Sequence, residues 1–123
     1  MAAAASVVIS GSVTALPGGS THQIGPITTT SVAASGTVQE IVLQSGANTI
    51  TLPTLPIPTG CVIQLPATNT AVVTLKGVTG DTGIAIGKTT SHLLTWDPAA
   101  APASFVLTSA STQTGLVTEI TFF

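Results

Sequence analysis

The sequence predicts an all-β fold: an antiparallel β-sandwich or jelly-roll-like barrel of about eight short strands. Three observations carry this expectation. Turn residues recur along the 123-residue chain at Pro17-Gly18-Gly19, Gly25-Pro26, Ser35-Gly36, Ser45-Gly46, Pro53 to Gly60, Pro66, Gly77 to Gly83, Gly87, Asp97-Pro98, Pro102 and Gly115. They leave intervening segments that suit strands and give little room for helices. Those segments are rich in Thr, Val and Ile, which are stiff at χ1 and pack well on a pleated surface. Several of them also alternate with the period of two that marks a half-buried strand.

In chain order, strands are expected near 6–14, 37–44, 48–52, 61–65, 70–76, 83–87, 91–96, 104–109 and 116–122. In the third, Ile50 and Leu52 share one face and Thr49 and Thr51 the other. Cys61, Ile63 and Leu65 alternate with Val62 and Gln64, and Ala71, Val73 and Leu75 with Val72, Thr74 and Lys76. Near the end, Leu116, Thr118, Ile120 and Phe122 oppose Val117, Glu119, Thr121 and Phe123. Pro53-Thr54-Leu55-Pro56-Ile57-Pro58 must be extended, because proline fixes its own φ and restrains the residue before it, so this stretch reads as a connector or an edge. Residues 1–35 show little apolar periodicity in segments such as Thr28-Thr29-Thr30-Ser31. They are expected to form an extended N-terminal arm with loops, beside a β-sandwich domain at 36–123.

Composition narrows the function. Only six residues are charged (Glu40, Lys76, Asp81, Lys88, Asp97 and Glu119), 5% of the chain with a net charge of −2, against roughly 25% in an average domain. There are 23 Thr and 11 Ser, with no Arg and no Tyr, so the polar surface is built mostly from hydroxyls. Without a basic footprint, neither nucleic acid nor an anionic membrane is an expected partner. No run of apolar residues is long enough for a transmembrane helix, and the start, MAAAASVVISGS, lacks the positive n-region of a signal peptide, so synthesis in the cytoplasm is expected. Cys61 is alone, which excludes an intrachain disulfide, and with His22 and His92 it does not give metal-ligand spacing. No cofactor is expected.

Four patterns look like chemistry or peptide recognition. Gly83-Ile84-Ala85-Ile86-Gly87-Lys88-Thr89 is one residue short of a Walker A loop and is followed by a strand-like segment where a P-loop opens a helix, so a Gly-flanked strand is the simpler reading. Asp81-Thr82-Gly83 matches the tripeptide of aspartic proteases. A single copy would work only across a two-fold axis, since the chemistry needs two carboxylates sharing a proton. Thr79-Gly80 and Ile84 depart from that family's pattern on either side, which favours an Asp-Gly turn between strands 70–76 and 83–87, with Asp81 satisfying local N–H groups. His92, Asp97 and a serine make a triad only on paper, because no G-x-S-x-G elbow is present. Pro53 to Pro56 has P-x-x-P spacing, without a flanking basic residue.

The aromatics are Trp96, Phe105, Phe122 and Phe123. Trp96 is expected to plug the core with its indole N–H bonded at the rim. Phe122 and Phe123, as strand neighbours, point to opposite faces, so one of the two should meet a partner or a covering loop. Trp96, Phe122 and Phe123 are the candidate interface residues, and no residue is assigned a catalytic, metal or cofactor role.

A surface so poor in charge makes sense where neighbours cover much of it, which points to an oligomer, a dimer or trimer by symmetry. Val72 to Ile86, Leu93-Leu94-Thr95-Trp96-Asp97 and Val117 to Phe122 resemble, in their Thr/Ala/Val/Gly-rich style, the accessory structural proteins of tailed bacteriophages, the capsid decoration or cement proteins and tail or fibre components. The resemblance implies a non-enzymatic subunit located in the virion, self-associated and bound to the major capsid protein. Two other classes stand beside it: a glycan-binding sandwich using Trp96 and loop hydroxyls, and a dimeric aspartic protease centred on Asp81.

Overall fold

The computed structural model describes residues 6–14, 16–30, 37–54 and 57–123. Among these residues ten strands form: β1 (Ser6–Val13), β2 (His22–Thr30), β3 (Thr37–Ile41), β4 (Gly46–Thr51), β5 (Gly60–Gln64), β6 (Val73–Lys76), β7 (Ile84–Ile86), β8 (Ser91–Thr95), β9 (Ser104–Ser109) and β10 (Thr118–Phe122). Nine lie where alternation and turn spacing predict them. The exception is β2.

From β3 onward the ladders nest. β3 pairs with β10, β4 with β9, β5 with β8 and β6 with β7, all antiparallel, as if one long double strand turned back on itself at 77–83. Rolling that double strand up adds two further ladders, β5 with β10 and β6 with β9. The result is two four-stranded sheets, ordered β3-β10-β5-β8 and β4-β9-β6-β7. This is an eight-stranded jelly roll, a sandwich in which successive strands cross between sheets. The edges meet at two corners, 42–45 joining β3 to β4 and 87–90 joining β7 to β8.

Period-two alternation fills the space between the sheets. Leu43, Ile50, Leu52, Cys61, Ile63, Leu65, Val73, Phe105, Leu107, Ile120 and Phe122 form one buried cluster, with Ile41, Leu75, Ile86, Leu94 and Trp96 packed against it. The faces match those read from the sequence: Ile50 and Leu52 point inward while Thr49 and Thr51 are exposed, and Val73 is buried while Val72 is exposed.

Where the chain leaves a ladder to cross between sheets, two buried asparagines replace the missing partners. The Asn48 side chain donates to the carbonyls of Gln44, Gly46 and Leu107 at 2.9, 3.1 and 3.0 Å and accepts from the Gln44 N–H at 2.9 Å. Asn69 donates to the carbonyls of Ala71 and Lys88 at 3.0 and 2.8 Å and accepts from the Ala71 N–H at 3.0 Å. Each ties a loop to an element distant in sequence, so each holds a corner of the roll.

Within 1–35, expected as an extended arm with loops, the described residues hold β1, at the strand expected near 6–14, and β2. β1 and β2 form an antiparallel hairpin, a sheet of its own with no ladder to the sandwich. Its register runs from Ser6↔Thr30 to Ile9↔Ile27, then resumes at Gly11↔Ile24, so Gly25-Pro26 bulges out opposite Ser10. Gly25 has φ 71°, and a Cβ there would run into the Ile9 carbonyl and sit 2.6 Å from the Ile27 nitrogen. Only glycine fits this bulge.

Replacing Asn69 by Ala removes three hydrogen bonds and leaves buried backbone groups without partners. Asn69→Ala is expected to lower unfolding free energy by about 2–3 kcal/mol, measured by urea denaturation followed through Trp96 fluorescence, whereas Thr49→Ala on the exposed face of β4 is expected to change it by less than about 0.5 kcal/mol.

Candidate functional site

The Asp81 turn lies at the tip of the double strand, between β6 and β7. Asp81 Oδ2 accepts from the N–H groups of Gly77 and Val78 at 3.1 and 2.9 Å, and the Asp81 N–H donates to the Val78 carbonyl at 3.1 Å. The carboxylate thus closes its own loop, as the turn reading anticipated. Gly83 follows at φ 73°, where a Cβ would sit 2.6 Å from the Leu75 carbonyl oxygen, so glycine is required by the turn itself.

The segment resembling a Walker A loop is strand β7 followed by the corner 87–90, and no helix follows it. Lys88 Nζ donates to the Thr70 carbonyl at 3.1 Å, and the Lys88 carbonyl accepts from Asn69. His92 Nε2 lies 2.8 Å from the Gly87 carbonyl and therefore donates to it; the Thr90 hydroxyl donates to the same oxygen at 3.2 Å. Asp97 Oδ1 accepts from the Ala99 N–H at 2.9 Å, capping a short 3-10 turn. His22 is exposed at the start of β2, opposite Val13. Among the described residues, no three His, Cys, Asp or Glu side chains converge on a position that would hold a metal.

The three candidate interface aromatics sit at one end of the sandwich. Trp96 is half-buried against the core, and its indole N–H donates to the Pro58 carbonyl at 2.6 Å, pinning the proline-rich connector between β4 and β5. Leu55 and Pro56 of that connector lie outside the described residues. Phe122 points inward and is fully buried. Phe123 points outward, yet it is only 4% exposed. Its main chain pairs with Thr59 and Gly60, and its ring crosses Gly60, where a Cβ would stand 3.0 Å from the ring edge. Phe122 and Phe123 are thus covered by their own chain, the covering that the sequence reading set beside a partner for one of the two.

Exposed apolar surface lies elsewhere. Residues paired across antiparallel strands share a face, so the ladders place Val38, Thr121, Val62 and Leu93 in one row across the outer face of β3-β10-β5-β8. Glu40, Glu119, Gln64 and Ser91 form the next row, with two carboxylates directly opposite each other. Val7 and Ile9 of the hairpin line a groove of about 520 Å³ together with Val62, Ser91, His92 and Leu93. A second hollow of about 520 Å³ opens beside the β6–β7 turn, between Leu75, Ile84, Leu94 and Phe105, with Lys76 and Asp81 at its rim.

The bulge at Gly25-Pro26 has a consequence for the hairpin surface. It adds one residue to β2, so Ile24 and Ile27, three apart in sequence, fall on the same face as Val7, Ile9 and Val13. Simple alternation would put them on opposite faces, which is why the sequence reading missed both. Two β-branched residues straddling a Gly-Pro are the signal that identifies such a bulge.

No family model, curated protein or solved structure matches this chain.

Cys61 is the one group whose titration the fold alters strongly. Burial pushes its thiol from 9.0 up to about 12. The folded state therefore keeps a proton that the unfolded chain releases above pH 9, so stability is intact below that pH and falls as pH rises toward 12, by roughly 1.4 kcal/mol per pH unit. Denaturation midpoints measured from pH 8 to about pH 11 should decline steeply in the wild type and much less in Cys61→Val.

Proposed function

We propose that this protein is a non-enzymatic structural subunit of a bacteriophage particle, a decoration or cement protein that braces the capsid lattice by tiling against identical neighbours and the major capsid protein. One observation carries the reading: a chain with six charges keeps ten large Val and Ile side chains exposed among its described residues, Val78 at 63% and Ile84 at 69% among them. Single exposed apolar residues are ordinary, but rows and faces of them mark contact surfaces. The jelly roll suits the role, since its ladders leave only four edges and hold them rigidly at two corners.

The local chemistry agrees with a role without catalysis. Asp81 is engaged by its turn, Cys61 is buried and protonated, and the Trp96 N–H is taken by Pro58. A tail or fibre location would use the same surface chemistry, and the position of density on intact particles separates the two.

Attachment built on apolar and main-chain contacts is weakly screened by salt. Particles washed from about 0.1 M to about 1 M NaCl should therefore retain the protein, as read by quantitative gel analysis of sedimented particles. Release at moderate salt would overturn the reading.

A further inference from the structure

We propose that the hollow between the two sheets beside the β6–β7 turn is a binding site for a small amphipathic carboxylate, its apolar tail between the sheets and its head at Lys76. The site is independent of the bracing role.

The tail position is made of core side chains that the fold leaves uncovered. Leu75 pairs with Ile84 across β6 and β7, Leu94 with Cys61 across β8 and β5, and Phe105 with Ile50 across β9 and β4. Paired residues share a face, so all four lining residues stand on the inner faces of the sheets. Ile84 is nonetheless 69% exposed, more than any other large apolar side chain among the described residues. The reason is topological. β7 and β8 are the last strands of their sheets and no ladder joins them, so the sandwich is open along this side. The hollow measures about 520 Å³, within the roughly 300–1,000 Å³ of small-molecule sites. The hollow at Leu52 and Ile57 is smaller, about 290 Å³, and the groove beside the hairpin is walled by Val62 and Leu93 of the outer sheet face.

Charge at the mouth selects the head group. The Lys76 stem crosses Gly83, where a Cβ would lie 2.6 Å from Lys76 Cγ, and its ammonium group reaches the Thr79 carbonyl only at 3.5 Å, the long limit of a hydrogen bond. The Asp81 carboxylate, on the same rim, is spent on its own loop through the N–H groups of Gly77 and Val78 at 3.1 and 2.9 Å. Lys76 is thus the charged group with donors to spare, and an anionic head complements it. Asp81 cancels the net charge of the rim, which favours a head with one negative charge over a multiply charged one. A short apolar chain ending in a carboxylate meets both requirements. Lys88, the other cation of the chain, donates to the Thr70 carbonyl at 3.1 Å and does not line the hollow.

The test uses the full chain at about pH 8, where a carboxylate is ionised and Lys76 protonated, with octanoate as the probe and methyl NMR resonances as the readout. The Leu75, Ile84 and Leu94 methyls should shift together with one saturable constant of about 0.1–2 mM, while those of Val38 and Ile27 stay in place. Octyltrimethylammonium, the same tail under a cationic head, should bind at least about threefold more weakly. Lys76→Met keeps the stem and should weaken octanoate by about three- to tenfold while leaving octanol unchanged. If that variant does not fold, the comparison of the two heads on the wild type decides alone. Shifts that never saturate, or that spread equally to Val38 and Ile27, would report adsorption to any exposed apolar surface and overturn the site. Equal affinity for both heads would overturn the carboxylate. Movement of the same methyls with protein concentration and no probe would put a second copy in the hollow, which also overturns the proposal.

Discussion

Antiparallel main-chain pairing is the interaction on which this molecule depends. With six charged side chains, ion pairs have little to contribute, and cross-strand hydrogen bonds with the packing they align do almost all the organising. The nested ladders from β3·β10 inward to β6·β7 fix which residue faces which, and the period of two then decides which side chains enter the core. A slip of one residue in β5 would expose Cys61 and Ile63 and bury Gln64. The ladders end at corners, and there Asn48 and Asn69 supply the hydrogen bonds that strands no longer provide. These side chains are polar and buried because the backbone they serve is buried too.

The same dependence explains the surface. Hydroxyls solvate a sheet without adding charge repulsion, so the Thr and Ser on the outer faces give polarity with little net charge. Turn chemistry is used inward in the same spirit: Asp81, which could pass for a catalytic carboxylate in a tripeptide match, is the acceptor that closes the β6–β7 loop. The large apolar residues left outside are spread over the hairpin, the sheets and the loops, Val8, Val38, Val78 and Ile84 among them.

Most of the sandwich was legible because each strand carries its own signal. Ile50 and Leu52, Cys61 and Ile63, and Ile120 and Phe122 announce their faces by alternation, and the glycines and prolines between them mark the turns. The nesting of the ladders was not legible, since pairing joins residues such as Thr37 and Phe122 that share no local pattern. β2 was missed because Gly25-Pro26 interrupts its alternation, and the polar run at Thr28 to Thr30 reads like a loop. The burial of Phe123 was hidden for a related reason. Its cover depends on Gly60, a residue whose contribution is the absence of a side chain and which becomes visible only when β5 and the chain end are brought side by side.

The central claim is that the nested ladders of β3 to β10, tied at their corners by Asn48 and Asn69, hold the sandwich as one unit. Hydrogen exchange of the strand amides in the wild type and in Asn69→Ala tests it most directly, because amides of a cooperative unit exchange by opening together. The account predicts that the substitution lowers the protection of β5, β9 and β10 by the same factor while the β1 and β2 amides, which share no ladder with the sandwich, keep theirs. Loss of protection confined to the residues around Asn69 would contradict it.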